Sequence, residues 1–241
     1  MQTNIIYGRI PCINAIKGNN RVKSVFLNEK SQDNEIINLA KEKGLSISFV
    51  DKKKLDSLCD HNNHQGVVCT TKEFIFTPLN NVLNNLKNKE YATIVILDQI
   101  TDPVNFGSII RSSVAFGVDA IIIGKNRQVQ MTPVVFKVAT GAEEYIPIVQ
   151  VVNINQTIEK LKQDNFWIVS SAGEGQTSYD EIDYKCKIGL IVGSEGKGIS
   201  KLVKENSDFI AKIPLSNEVT ALNASVATAV FLAQINSNRN K

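Results

Sequence analysis

From Tyr91 to the end of the chain, short apolar runs alternate with segments of helical spacing, and this alternation narrows the possible folds more than any other feature. TIVILD, AIIIG, IPIVQVV, FWIVSSA, KIGLIVG and DFIAKIPL read as strands. Helices are predicted from about Asn105 to Phe116, near Pro133 to Ala142, over INQTIEKLKQDN, over the short ISKLVKEN, and from about Ala221 to Asn236. Strands that are apolar at successive positions need cover on both faces, which is the condition of a largely parallel sheet. The predicted class is therefore α/β.

The front of the chain repeats the pattern on a smaller scale. VKSVFLN from Val22 and SISFV from Ser46 read as strands around a helix in DNEIINLAKEKG that Gly44 stops, and a third strand begins at Gly66 in GVVCTTKEF. The Asn- and Lys-rich TPLNNVLNNLKNK has Val82 and Leu86 as a sparse i,i+4 apolar pair and marks a boundary. We therefore expect residues 1–76 to form a small α/β domain, 77–90 a linker, and 91–241 a sheet-centred domain.

With 43% hydrophobic content over 241 residues, the chain can bury a core of ordinary size, and no apolar run reaches the roughly 18 residues of a membrane span. Its start, MQTNIIYGRIPCINAIKG, lacks the apolar stretch and cleavage site of a secretory signal, so a cytoplasmic protein with no membrane partner is expected. Cys12, Cys59, Cys69 and Cys186 form no C-x-x-C pair, and His61 and His64 are not spaced with them as zinc ligands. Reduced packing cysteines and no metal are expected. Residues 1–90 hold 13 Lys and Arg against 9 Asp and Glu, net +4, whereas residues 91–241 hold 14 against 15, net −1. The positive excess lies in the front segment, although Lys52-Lys53-Lys54 taken alone reads as a solvated helix face.

Open parallel sheets bind ligands beyond the carboxyl ends of their strands, and three loops in such positions carry candidate residues. In DQITDPVNFGSIIRSSVAFG, from Asp98, Asn105 and Gly107 suit a turn that brings backbone N–H groups close to a ligand, and Asn105 equally suits a helix N-cap. Arg111, among Ile109, Ile110, Val114 and Ala115, is expected to be partly buried and to need an anion, either a structural carboxylate or a phosphate. In LIVGSEGKGIS, from Leu190, three glycines within six residues permit close backbone approach to a bound group. Gly198 stands where a Walker loop needs Ser or Thr, and GEGQTS from Gly173 fails the dinucleotide signature at its last position. Glu195 can satisfy a helix dipole there or act on a ligand. In KIPLSNEVTALNASVATAVFLAQ, from Lys212, a polar loop leads into a helix with Asn223 and Ser225 in its first turn, and Ala221, Ala224, Ala227 and Ala229 permit close packing.

In this order the three segments resemble motifs 1, 2 and 3 of the SpoU-type RNA ribose 2′-O-methyltransferases, within the SPOUT superfamily. The residues are Asp102-Pro103-x-Asn105-x-Gly107 with Arg111, then Gly193-Ser194-Glu195-Gly196-x-Gly198, then Ile213-Pro214 followed by Leu222-Asn223-x-Ser225-Val226-Ala227. His64-Gln65-Gly66-Val67-Val68 is similar to the segment that closes the small RNA-binding domain in the branch methylating guanosine ribose in large-subunit (23S) rRNA. The resemblance implies a trefoil-knotted catalytic domain, a homodimer, an rRNA partner, and S-adenosylmethionine as cofactor, contacted at Gly193, Ile213 and Leu222. It places Arg111, Asn105, Glu195 and Asn223 around the acceptor ribose and phosphate. A guanidinium stays protonated near neutral pH, so Arg111 is assigned to positioning. Ala221 departs from the Ser common in the family. Other readings are a tRNA or resistance-type rRNA ribose methyltransferase, and a non-catalytic RNA-binding assembly factor.

Overall fold

The computed structural model describes residues 4–18, 21–194, 196–216, 218 and 221–240. The chain divides into two compact units, Met1–Ile75 with Met131–Tyr145, and Phe76–Gln130 with Ile146–Lys241.

The first unit begins with β1 (Ile5–Tyr7), α1 (Arg9–Lys17), β2 (Val22–Asn28), α2 (Asn34–Glu42), β3 (Ser46–Val50), α3 (Lys52–Leu58) and β4 (Val67–Thr71). Its sheet has the order β1-β4-β2-β3, with β4 antiparallel to β1 and β2, and β3 parallel to β2. β1 and α1 carry no clear sequence signal. The strand has three residues, and α1 buries Pro11, Cys12, Ile13, Ala15 and Ile16, so it lacks a one-sided apolar stripe. Asp51 caps α3 through the Lys54 N–H at 2.8 Å, and Lys52, Lys53 and Lys54 are exposed on that helix.

The second unit holds α4 (Leu79–Leu86) inside the segment expected to join the domains; its Val82 and Leu86 pack in one core with Ala92, Ile94, Ile158 and Leu161. Then come β5 (Ala92–Asp98), α5 (Pro103–Ala115) and β6 (Ala120–Gly124). The next helix, α6 (Pro133–Ala139), and a 3-10 turn at Ala142–Glu144 belong to the first unit. The chain continues with β7 (Ile148–Val151), α7 (Ile154–Gln163), β8 (Phe166–Ser171), β9 (Thr177–Ser178), β10 (Lys187–Gly193), α8 (Lys201–Glu205), β11 (Phe209–Lys212) and α9 (Ala224–Arg239).

The seven strands run β7-β6-β5-β10-β8-β11-β9, and each neighbouring pair is parallel. Every residue of β5 and β6 is buried, as two-sided cover requires. β11 ends at Lys212, earlier than the predicted strand, because Pro214 has no N–H to extend a ladder. Arg239 anchors the end of α9 by donating to the carbonyls of Tyr184, Cys186 and Ala92 and to the Thr93 hydroxyl, at 2.7–3.0 Å.

Candidate functional site

Strands β5, β6 and β7 build outward to one edge of the sheet, and the later strands fill the other side. The boundary between β5 and β10 is therefore a switch point, where open α/β sheets form crevices. Asp98 and Gly193, the last residues of these strands, are register partners. Asp98 is buried, and its Oδ2 accepts the Ser200 N–H at 2.7 Å, which draws the far end of the glycine loop onto the neighbouring strand. Within the loop, Ser194 and Gly198 exchange backbone hydrogen bonds of 3.2 and 2.8 Å. The fold-back leaves no room at position 193, where a Cβ would lie 2.3 Å from the Gly198 carbonyl carbon. A Cβ on Gly196 would meet nothing within 4 Å.

A cleft opens beside this loop. Gly193, Ile213 and Leu222 all line it, although three separate segments supply them. Ala221, Ala224 and Ala227 add small side chains, and Ser171, Ala172 and Gly173 close the β8 side. Glu174 and Lys204, an ion pair, also line it. At Ala221, where the family resemblance predicts a hydroxyl, the side chain is a methyl group; Ser171 and Ser194 line the same cleft.

A second, polar cleft shares Ser194 with the first and is lined by Gln99, Thr101, Asn105, Arg127 and Lys197. Asp102, not Asn105, is the N-cap of α5: its carboxylate accepts the Val104 and Asn105 N–H groups at 3.0 and 3.2 Å, and Pro103 fills the first helical position. The Asn105 side chain is thereby left for a tertiary contact. It is buried, and its Oδ1 accepts Asn223 Nδ2 at 2.9 Å. Asn223 is the N-cap of α9, so that helix starts after it and not at Ala221. Its Oδ1 accepts from the Ser225 N–H and hydroxyl at 2.9 and 2.6 Å, which turns the amide nitrogen toward Asn105. Residues from motifs 1 and 3, 118 positions apart, thus meet in one hydrogen bond.

Arg111 departs from expectation. Helix α5 turns Asn105, Phe106, Ile109, Ile110 and Ser113 inward and leaves Arg111 exposed, with Val104 also half exposed. Among the described residues it makes no hydrogen bond or ion pair with a carboxylate or any other group, and it lines neither cleft. Glu195 lies outside the described residues.

His64 is buried in the first unit; its Nδ1 accepts the Gly66 N–H at 2.9 Å and its Nε2 faces Asp56 at 3.0 Å, an arrangement that shapes the turn into β4. All four cysteines are free thiols. Among the described residues no group of His, Cys, Asp and Glu could hold a metal ion, and no helix is long and apolar enough to cross a membrane.

Sequence reasoning missed Asp98, Arg127 and Lys197. Asp98 ends the predicted strand TIVILD, and Arg127 lies just beyond AIIIG, so both sit where ligand-binding loops begin. Lys197 lies within the glycine motif itself, as its variable position.

Residues 92–233 match the model of the SpoU rRNA Methylase family, and residues 5–76 match the model described as RNA 2′-O ribose methyltransferase substrate binding. The chain is 37% identical over 244 residues to a protein of Staphylococcus saprophyticus assigned to the TrmH family of tRNA/rRNA methyltransferases, which covers 100% of this chain and 98% of the relative. It is 35% identical over 243 residues to YacO of Bacillus subtilis, assigned to the same family, covering 99% of this chain and 97% of YacO. The fold is similar to that of the SpoU methyltransferase AviRb from Streptomyces viridochromogenes, solved in complex with the cofactor AdoMet. The TM-score is 0.85 at 20% identity, over 98% of this chain and 90% of AviRb. The chain belongs to the SpoU rRNA methylase family, among the RNA methyltransferases of the TrmH/SpoU type.

Proposed function

We propose that the chain methylates a ribose 2′-hydroxyl of RNA with S-adenosylmethionine as donor, and that the acceptor is a guanosine in large-subunit (23S) rRNA. The observation that carries this reading is the meeting of two clefts at Ser194: one lined by glycines, alanines, Ile213 and Leu222 with the Glu174–Lys204 pair, the other by Asn105, Thr101, Gln99, Arg127 and Lys197. A methyl donor and a ribose placed one in each are brought together at their common wall.

In the first cleft, Gly193, Ile213 and Leu222 hold the cofactor. Its fit rests on the glycine loop, where Gly193 and Gly198 line the cleft and fold against each other with no room for a side chain at Gly193. When bound, S-adenosylmethionine supplies an electrophilic methyl group on a sulfonium centre. Asn105 and Asn223 fix each other and hold the acceptor ribose, with Glu195 contributing from the glycine loop. Arg111 remains a cation at neutral pH and therefore orients phosphate and hydroxyl without removing a proton. Alignment of this kind, which replaces lost translational and rotational freedom, is the larger part of the rate gain for a displacement reaction.

Residues 1–76 serve as the RNA-binding domain, 91–241 as the catalytic domain with the family's trefoil knot, and 77–90 as the connection. The match of residues 5–76 to a substrate-binding model and the positive charge of the front segment support rRNA. A cytoplasmic homodimer completes the reading. It is supported by the half-exposed Val104 and Val226 on the packed helices α5 and α9, and by an exposed Arg111 that lines neither of the two clefts.

Mapping 2′-O-methyl positions in rRNA and tRNA from cells with and without the protein tests the substrate. The expected result is loss of one guanosine methyl in 23S rRNA. Loss from tRNA instead would move the substrate to the tRNA branch, and no loss from either would remove the catalytic reading.

A further inference from the structure

We propose that Arg127 and Lys197 form a phosphodiester subsite in the polar cleft, gripping the RNA strand beside the nucleotide whose ribose meets Asn105. This rests on the RNA methyltransferase reading above and adds two residues that the family motifs do not assign.

The two cations come from different loops, one following β6 and one within the glycine loop, and converge on the cleft that Asn105 lines. Among the described residues neither makes a hydrogen bond or ion pair, whereas Lys89, Lys162 and Lys204 of the same unit each pair with a carboxylate. Asp102, the acidic residue among the described lining, has its carboxylate directed to the N–H groups that begin α5. Among the described residues, then, no carboxylate of the lining is directed to this positive charge.

Hydrogen bonds tie both loops. Arg127 has φ +57° and Gln99, across the cleft, φ +62°, a left-handed conformation uncommon for residues with side chains and concentrated at ligand sites. The Val129 N–H donates to the Ile100 carbonyl at 2.8 Å, which ties the Arg127 loop to the Gln99 loop. Gln130 Nε2 donates to the carbonyls of Gly124 and Gln128 at 3.1 and 3.0 Å, closing the Arg127 loop on itself. Lys197 sits in the turn closed by the Ser194 and Gly198 backbone bonds. A guanidinium fork and an ammonium held on rigid loops suit phosphate oxygens.

The identity of the anion follows from the neighbouring cleft. S-adenosylmethionine carries no phosphate, so a phosphate subsite sharing Ser194 with the donor cleft serves the acceptor. The occupant is the RNA backbone.

The test uses the full chain and its Arg127→Ala, Lys197→Ala and double variants, with filter binding of an unmodified 23S rRNA transcript across a range of salt. Each single variant is expected to bind RNA roughly tenfold more weakly, and each lost phosphate contact to reduce the log–log salt slope by about 0.7. S-adenosylmethionine affinity should not change, and Arg127→Lys should recover part of the binding. Wild-type affinity and salt slope in the double variant would overturn the subsite even if the protein methylates RNA. A wild-type protein that binds RNA with the predicted dependence on these residues but transfers no methyl would overturn the catalytic reading and leave the subsite standing. Absence of RNA binding by the wild-type protein overturns both.

Discussion

In the second unit the central strands are apolar on both faces, and charge gathers beyond their carboxyl ends, where Arg127 and Lys197 line an open cleft and pair with no carboxylate among the described residues. The first unit takes charge inside instead. Arg21 is 8% exposed and Glu143 3%. Arg21 donates to Glu144 Oε1 at 3.1 and 2.7 Å and lies over the Phe136 ring at 4.5 Å. Glu143, 3.7 Å from the same guanidinium, has no hydrogen-bond partner for either carboxylate oxygen among the described residues. Burial pushes the Glu143 carboxyl up to about 7, with the charge of Glu144 adding and Arg21 opposing. Similar side chains therefore have different consequences in the two units. At open strand ends a charge is available to a ligand; in the interior it makes stability depend on pH.

The contrast breaks most sharply at Arg111. If this exposed cation acts on substrate, Arg111→Ala should lower turnover by about 100-fold or more while S-adenosylmethionine affinity stays within about twofold. Near-normal turnover, measured with saturating RNA, would remove Arg111 from the site. Next come the glycines. Gly193→Ala should destabilise the second unit by about 1–3 kcal/mol through backbone overlap and weaken cofactor binding. Gly196→Ala, with open space around it, should stay within about 0.5 kcal/mol in denaturant titrations.

The buried cluster gives a pH signature. A carboxyl raised from 4.5 to about 7 binds more protons in the folded than in the unfolded chain between those values, so its contribution is present at low pH and lost as pH rises through 7. Relative to Glu143→Gln, the wild-type protein should gain on the order of 2 kcal/mol as pH falls from about 8 to about 5. A constant difference between their melting temperatures over that range would contradict the burial account. A smaller effect than this titration separates two roles of Asn223. Asn223→Ala should cost about 1 kcal/mol by uncapping α9. Asn223→Asp keeps the cap's acceptor oxygen but loses the donor to Asn105, so stability should hold while turnover falls.

The strand-rich second half was legible because two-sided burial leaves near-continuous apolar runs such as TIVILD and AIIIG. The glycine loop was legible as a place of close approach, and the close approach at Gly193 is the Gly198 backbone. Helix starts shifted by two or three residues because Asp102 and Asn223, not their neighbours, supply the caps. Contacts between distant segments left no local signal. Arg21 and Glu144 are 123 positions apart, and nothing in the periodicity of residues 131–145 shows that they fold with the front unit. Arg111 was misjudged because apolar neighbours in sequence lie around a helix and not on one side of it. The polar cleft left no local signal either, since three loops far apart in the chain build it.

The central claim is that the clefts meeting at Ser194 bring a methyl donor to a ribose. Its most direct measurement is transfer of labelled methyl from S-adenosylmethionine to an unmodified 23S rRNA transcript, followed by digestion to nucleosides. The account predicts that the label appears as 2′-O-methylguanosine, at a rate that collapses in Arg111→Ala. Label on a base, or no label in any RNA while the wild-type protein remains folded, would contradict it.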